Sequence, residues 1–288
     1  VMDFASCVPI EKGWSGDRKY CVTDRSGARY LLRVMPEKDP GCCETTFRMM
    51  QQAAALGVPM CRPVEIGCCG EGVYTLQTWV DGQDAETVIP GLAAAEQYAY
   101  GCRAGEILRQ IHRIPAPVEL PDWQTRFGAK IDRKIQLYHA CPIQFDGAET
   151  ILAYLAANRS LLAGRPQTYQ HGDYHIGNMM LEQGRLVIID FDRDDFGDPW
   201  EEFNRIVWCA QTSPRFAAGM VDGYFPGGVP AQFWQLLALY IGSNTLSSVP
   251  WAIPFGTQEV QTMLDQAADV LRWYDNMNRV VPSWYTGE

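Results

Sequence analysis

His171-Gly172-Asp173-Tyr174-His175-Ile176-Gly177-Asn178 is the stretch on which the reading of this 288-residue chain turns. Asn178 stands five positions after Asp173, and Asp190 follows twelve positions later. Phosphoryl transfer needs such a set. One carboxylate orients and deprotonates an attacking hydroxyl, while hard oxygen ligands hold Mg²⁺ against a triphosphate. An Asn oxygen is neutral and an Asp oxygen charged, a pair suited to an ion that keeps some of its water and binds substrate phosphates. Asp190 also closes a short apolar run, Leu186-Val187-Ile188-Ile189, that reads as a strand.

The spacing is that of a kinase catalytic loop, H-x-D-x-x-x-x-N, followed by a metal-binding Asp at a strand end. At these residues the chain resembles the aminoglycoside phosphotransferase and choline kinase-like family, whose members have a protein-kinase-like fold. The signature H-G-D-x-H-x-x-N is complete at 171–178, and a second, I-D-F followed by G-D-P, stands as Ile189-Asp190-Phe191 and Gly197-Asp198-Pro199. The resemblance implies an α+β, two-lobed fold, with a small β-rich nucleotide-binding lobe over 1–80 and a larger helical catalytic and substrate lobe over 81–288. It implies Asp173 as catalytic base and Asn178 and Asp190 as Mg²⁺ ligands. It further implies that His171, His175 and Asp198 order the loop, and that ATP or GTP is the phosphate donor.

The rest of the chain agrees with two lobes. Arg18–Asp24 and Ala28–Met35 are β-like runs around a Ser26-Gly27 turn, preceded by a small-residue loop, Lys12 to Asp17. Glu44 to Leu56 reads as a helix stopped by Gly57 and Pro59. Val64–Cys69 and Val73–Val80 read as a hairpin, and Asp81-Gly82 as a hinge. Beyond Leu92 the period turns helical: Tyr98, Cys102, Gly105, Leu108 and Ile111 share a face, and further helices are expected near 125–140, 148–162, 200–211, 230–247 and 258–276.

By resemblance, Ser15 and Gly16 lie in the loop that covers the phosphates. Arg33, in Tyr30-Leu31-Leu32-Arg33-Val34, takes the place of the phosphate-binding Lys; the two are not equivalent, because a guanidinium is longer and rigidly forked. The Glu that pairs with that cation falls in register at Thr46, with Glu44 two residues earlier, about 200° around a helix. Gln77 would flank the base, and the backbones of Thr78 and Val80 would hydrogen-bond it; a plain strand entering a turn explains this pattern too.

With 24 basic and 34 acidic residues the net charge is −10, which argues against a nucleic-acid binder. Seven of the acidic residues crowd into Asp190, Asp192, Asp194, Asp195, Asp198, Glu201 and Glu202. A focused negative field of this kind would draw in a cationic acceptor, with Asp192, Asp194 and Asp195 as candidate contacts and an aminoglycoside-type antibiotic as the leading substrate. Choline, homoserine, macrolides and sugars are the alternatives. Trp251, Trp273, Tyr274 and Trp284 either wall a substrate cleft or anchor the core. No CxxC occurs among the ten Cys, so they read as structural thiols. The chain has no signal-peptide pattern and no apolar run of about 20 residues, so a cytoplasmic protein with no membrane partner is expected.

Two rival readings use the same residues. His171, Asp173 and His175 form H-x-D-x-H, a pattern available to a metal-dependent hydrolase, although only His112 and His139 remain as further His ligands. Arg33 and Thr46 at the Lys and Glu positions admit a nucleotide-binding scaffold without catalysis.

Overall fold

The structure of the chain is a computed structural model that describes residues 4–11 and 16–286. Phe4–Ile10 (β1), Arg18–Asp24 (β2), Arg29–Met35 (β3), Pro63–Cys69 (β4) and Gly72–Thr78 (β5) form one antiparallel sheet in the order β1-β2-β3-β5-β4. Strand β1 was not expected: FASCVPI is mostly exposed and carries a Pro, so it lacks the alternation that marks a half-buried strand. A Pro is tolerated there because β1 lies at the sheet edge. Lys19 of β2 pairs with Arg33 of β3, which sets two cations side by side.

Helix α1 (Pro40–Ala55) crosses from β3 to β4 and begins four residues before the expected Glu44. The cause is local. Asp39 caps the helix by accepting from the Cys42 amide at 3.0 Å, and Pro40 sits in the first turn, where its missing N–H costs nothing. After β5 the chain reaches Asp81, whose amide donates to Glu182 Oε1 at 2.8 Å, and enters the helical part.

That part runs through strand β6 (Gln83–Asp84), α2 (Ala85–Val88), α3 (Ala94–Ile111), α4 (Trp123–Ala140) and α5 (Ala148–Asn158). Strands β7 (Thr168–Gln170), β8 (Met179–Glu182), β9 (Arg185–Ile188) and β10 (Asp195–Gly197) follow, then α6 (Ile206–Thr212), α7 (Pro214–Tyr224), α8 (Ala231–Ala252) and α9 (Thr257–Trp273). In place of one expected β island, β6, β8 and β9 make a small sheet, and β7 pairs with β10. Strands of two to four residues are too short for any periodicity to declare them.

Helix α7 also escaped the sequence reading, because Gly219 and Gly223 depress its intrinsic propensity. They are there for packing. A Cβ on Gly219 or Gly223 would stand 2.2 or 2.0 Å from the backbone oxygens of Tyr98 or Cys102 on α3, and Gly101 and Gly105 answer from the other side. The two helices therefore touch backbone to backbone.

The core of the helical part is built on Trp123, Phe127, Tyr169, Phe203 and Phe233, all buried. Trp273, Tyr274 and Trp284 join it, while Trp251 is exposed. All ten Cys are free, and Cys43, Cys61, Cys141 and Cys209 are buried; Cys7, Cys42, Cys68 and Cys69 are exposed. No helix among the described residues is long and apolar enough to cross a membrane.

Candidate active site

The loop 171–178 leaves β7 and is fixed atom by atom. His171 Nε2 lies 2.9 Å from the Ile189 carbonyl, while its Nδ1 accepts from the Asp173 amide at 3.3 Å. A carbonyl only accepts, so the proton sits on Nε2, and one neutral ring joins the loop to the strand that carries Asp190. Gly172 has φ +82°, and a Cβ there would lie 1.8 Å from the Arg193 carbonyl, so no other residue fits. Its amide donates to Glu202 Oε1 at 2.9 Å. Tyr174, fully buried, ties the loop to α3 by donating to the Ala104 carbonyl at 2.7 Å.

Asn178 closes the loop by donating from Nδ2 to the Asp173 carbonyl at 2.9 Å and to Asp173 Oδ2 at 3.3 Å. Its Oδ1 makes no hydrogen bond among the described residues. Asp173 Oδ1 is 3.1 Å from Arg205 Nε and 3.7 Å from His175 Nε2. Burial alone would raise this carboxyl, but the contact with His175 and the charges of Arg205, His175 and Arg193 win, and hold it well below the usual carboxylate range. It is held as an anion.

Asp190 sits just beyond β9 with φ +66°, a left-handed backbone rare for a residue with a side chain and the kind of strain found at functional sites. The strand holding it is clamped to the segment after α1, where the Ile188 amide donates to the Pro59 carbonyl at 2.8 Å and the Cys61 amide donates back to Ile188 at 3.1 Å. Arg33, only 3% exposed, reaches across with Nη1 2.8 Å from Asp190 Oδ1. It also donates from Nε to Asp17 Oδ2 at 2.6 Å and pairs with Asp192. Burial works against the charge on Arg33, yet Asp192, Asp190 and Asp17 together raise its pKa further. Burial likewise opposes the Asp190 anion, but Arg33 and Lys19 more than offset it, whereas burial and the neighbouring Asp190 push Asp192 up.

Helix α1 supplies no carboxylate to this cation. Thr46, in the register of the expected Glu, instead donates to Asp194 Oδ1 at 2.7 Å, and Glu44 is exposed. Asp17 and Asp192 occupy the role of counter-charge from the other side. The rest of the acidic run is also engaged. Asp195 holds Lys130 at 3.0 Å and Arg126 at 3.3 Å; Asp198 takes a bidentate Arg165 at 2.6 and 2.9 Å and the Tyr240 hydroxyl at 2.6 Å. Glu201 accepts from Gln170 at 3.1 Å and from Asn204 at 3.2 Å. Glu202 lies buried against His112 Nε2 at 3.7 Å. Asp195 and Asp198 are thus paired with cations, whereas Asp194 and Glu201 accept from neutral donors and Glu202 Oε2 has no hydrogen bond among the described residues.

On the nucleotide side, Ser15 lies outside the described residues, as do Lys12, Gly13 and Trp14. Gly16 has open space where a side chain would stand. Gln77 is buried with Nε2 3.9 Å from Met50 Sδ. The Thr78 amide is taken by the Arg62 carbonyl at 2.9 Å, whereas the Val80 amide makes no hydrogen bond among the described residues.

The donor set suits a hard cation that leans on its substrate. Asn178 Oδ1 and the Asp190 carboxylate are oxygens, and no group of three or more His, Cys, Asp and Glu among the described residues is arranged as a protein cage. The same fact, with both nitrogens of His171 already bonded, weakens the hydrolase reading. Sequence reasoning missed Arg205, Asp17 and the anchoring role of Glu202, since none belongs to a spaced motif. The only available signals were that Asp17 ends the small-residue loop and that Arg205 follows the G-D-P signature closely.

No curated protein matches the chain in sequence. Among solved structures, a choline/ethanolamine kinase family protein from Mesorhizobium loti shares the fold with a TM-score of 0.70 at 15% identity, over 99% of this chain and 94% of that one. A thermostable mutant of aminoglycoside phosphotransferase APH(4)-Ia gives 0.67 at 18% identity over 93% and 94% of the two chains. Aminoglycoside phosphotransferase APH(3'')-Id from Streptomyces rimosus gives 0.56 at 17% identity over 84% and 93%. The fold is protein-kinase-like, and the description of the phosphotransferase enzyme family matches residues 6–234, most of the chain: the protein belongs to that family, as a small-molecule kinase.

Proposed function

We propose that the chain transfers the γ-phosphate of ATP, or of GTP, to a hydroxyl of a small molecule, with Asp173 as base. The observation that carries this reading is the hydrogen-bonded pair Asp173–Asn178, joined through the Ile189 amide on the Asn178 carbonyl at 3.0 Å to the segment that carries a strained Asp190 held by Arg33. ADP and hygromycin B are bound together in another structure of the APH(4)-Ia mutant, which supports a nucleotide donor and a polyhydroxylated acceptor.

In the reaction the acceptor O–H gives its proton to Asp173 as its oxygen forms a bond to the γ-phosphorus, and the bond from that phosphorus to the β-γ bridging oxygen breaks to release the nucleoside diphosphate. Asp173 is kept anionic by Arg205 and oriented by Asn178. Arg33 neutralises phosphate charge, and the free Val80 amide is offered to the base. Asn178 and Asp190 would hold Mg²⁺, which when bound would supply neutralisation of phosphate charge. His171, His175 and Asp198 act by position. We place the lobe boundary at 80/81, beside that hinge.

The aminoglycoside class belongs in the first acceptor panel because structural neighbours carry such ligands. The test is nucleoside diphosphate release over a panel of amino sugars, choline, homoserine, macrolides and simple hydroxy compounds, with Asp173→Asn as the blank. Turnover that needs Asp173 and Mg²⁺ supports the reading. Nucleotide binding without turnover of any acceptor would favour the scaffold.

A further inference from the structure

A cavity of about 430 Å³ opens between α3, the turn joining β8 to β9, and the segment after α1. None of Asp173, Asn178, Asp190, Arg33 or Val80 lines it. Its volume falls within the range of about 300–1,000 Å³ common among small-molecule sites. From α3 it takes Glu96, Ala99, Tyr100 and Arg103, spaced three and four apart and so on one face. Arg103 stands about 200° around the helix from Gly101, so this face is turned away from the glycine contacts with α7.

The walls are fixed to one another. The Tyr100 hydroxyl donates to the Gly184 carbonyl at 3.1 Å and ties α3 to the turn. The Pro59 carbonyl accepts from the Ile188 amide at 2.8 Å and ties the segment after α1 to the strand that carries Leu186. A ligand would therefore find the cavity already formed, which spares it the cost of ordering the walls.

The lining joins apolar surface from Pro59, Ala99 and Leu186 to two guanidinium groups, those of Arg103 and Arg185. The neighbouring carboxylates do not match these cations. Glu182 faces Arg185 across the hairpin, yet it accepts from the Asp81 amide at 2.8 Å and forms no ion pair among the described residues. Glu96 is occupied by the Ala93 amide at 3.1 Å. Arg103 meets Glu106 through Nη1 alone, at 2.9 Å. Exposed Arg185 has no side-chain partner among the described residues. In a chain of net charge −10 this is a locally positive, partly apolar cavity.

We propose that the cavity is a binding site for a small organic carboxylate with an apolar body. The body lies against Pro59, Ala99 and Leu186, and the carboxylate is taken by Arg185, with Arg103 offering its remaining N–H groups. A guanidinium fork matches two carboxylate oxygens at once, which favours the acid over an alcohol of the same shape. The site does not depend on the phosphotransfer reading.

Titration calorimetry of the full chain with 4-phenylbutyrate tests the site, against 4-phenylbutan-1-ol, 4-phenylbutylamine and acetate. The expected result is saturable binding of one equivalent of 4-phenylbutyrate, at least about tenfold tighter than any of the other three. Arg185→Gln and Arg103→Gln together weaken it by about ten- to hundredfold, the size of a hydrogen bond to a charged group. Ala99→Trp, at an exposed helix position, fills the cavity and removes the binding. A saturating ATP analogue with Mg²⁺ leaves the affinity within about threefold, because the two sites share no residue. No saturable binding at millimolar concentration, equal affinity for the alcohol, displacement by the nucleotide, or unchanged affinity in Ala99→Trp each overturns the proposal. Should Ala99→Trp fold poorly, the double arginine variant decides alone: binding that survives it overturns the site.

Discussion

Arg33 Nη1 of the N-terminal sheet lies 2.8 Å from Oδ1 of Asp190, 157 residues further along the chain. The candidate phosphate-binding cation and the candidate metal ligand are thus partners, and Asp17 and Asp192 join them. A carboxylate from helix α1 is unnecessary here because Asp17 and Asp192 already surround the guanidinium. Its fork suits this duty better than an ammonium would, since several N–H groups reach different carboxylates at once.

Replacing Arg33 by Met strands buried carboxylates. Breaking a buried charge group in this way costs about 3–5 kcal/mol of stability, and denaturant unfolding measures it. The nucleotide KM rises in parallel. Arg33→Lys is expected to fold close to normally and still lose nucleotide affinity, because an ammonium cannot bridge Asp17, Asp190 and Asp192 together. A lysine variant with unchanged nucleotide KM would show that the fork has no part in binding.

Asp173→Asn keeps the shape of the loop and removes the proton acceptor. General-base catalysis contributes about 10²–10⁴ in rate, so kcat is expected to fall by that factor while nucleotide affinity stays within about threefold. Single-turnover phosphorylation and a separate nucleotide titration check the two halves.

Arg205→Met tests the electrostatics of the base. Arg205 helps to depress the Asp173 carboxyl in the folded protein, so Asp173 contributes stability that is present above the unfolded carboxylate pKa, about 4, and is lost as pH falls through the lower folded value. Without Arg205 the upward push of burial is opposed by His175, Arg193 and the Asn178 N–H on Asp173 Oδ2. The acid limb of the kcat/KM profile for a neutral acceptor should then move to higher pH. A limb that stays in place would mean that Arg205 does not set the basicity of Asp173.

How much of this was legible beforehand follows from the range of each interaction. The order Asp173, Asn178, Asp190 could be read because a catalytic loop fixes its residues by local spacing, and the hairpin of β4 and β5 because Gly70-Glu71-Gly72 turns the chain locally. The partners of Arg33 could not be read. Asp17 and Asp192 reach it from segments 16 and 159 residues away, and no periodicity encodes such a meeting. The partners of Asp195 and Asp198 were hidden for the same reason: Arg126, Lys130 and Arg165 lie on distant elements. Helix α7 was hidden because glycines that look like breakers in one dimension are contact points with α3 in three.

Lys134 of α4 is half-buried, and Lys134→Met carries a stability signature that follows from the sign of its pKa shift. The folded pKa of about 8 lies below the ordinary 10.5, so between those values the unfolded chain holds the proton more tightly than the native one, and native stability rises with pH. At pH 7 the charged lysine bears the whole penalty of its burial. Removing it is therefore expected to stabilise the protein at pH 7 by on the order of 1–3 kcal/mol, or several degrees in melting temperature. That gain should shrink as the pH is raised through the window and vanish above about 10.5. Scanning calorimetry of both proteins at pH 7 and pH 10 decides the matter: an equal gain at both values would trace it to packing, not to charge.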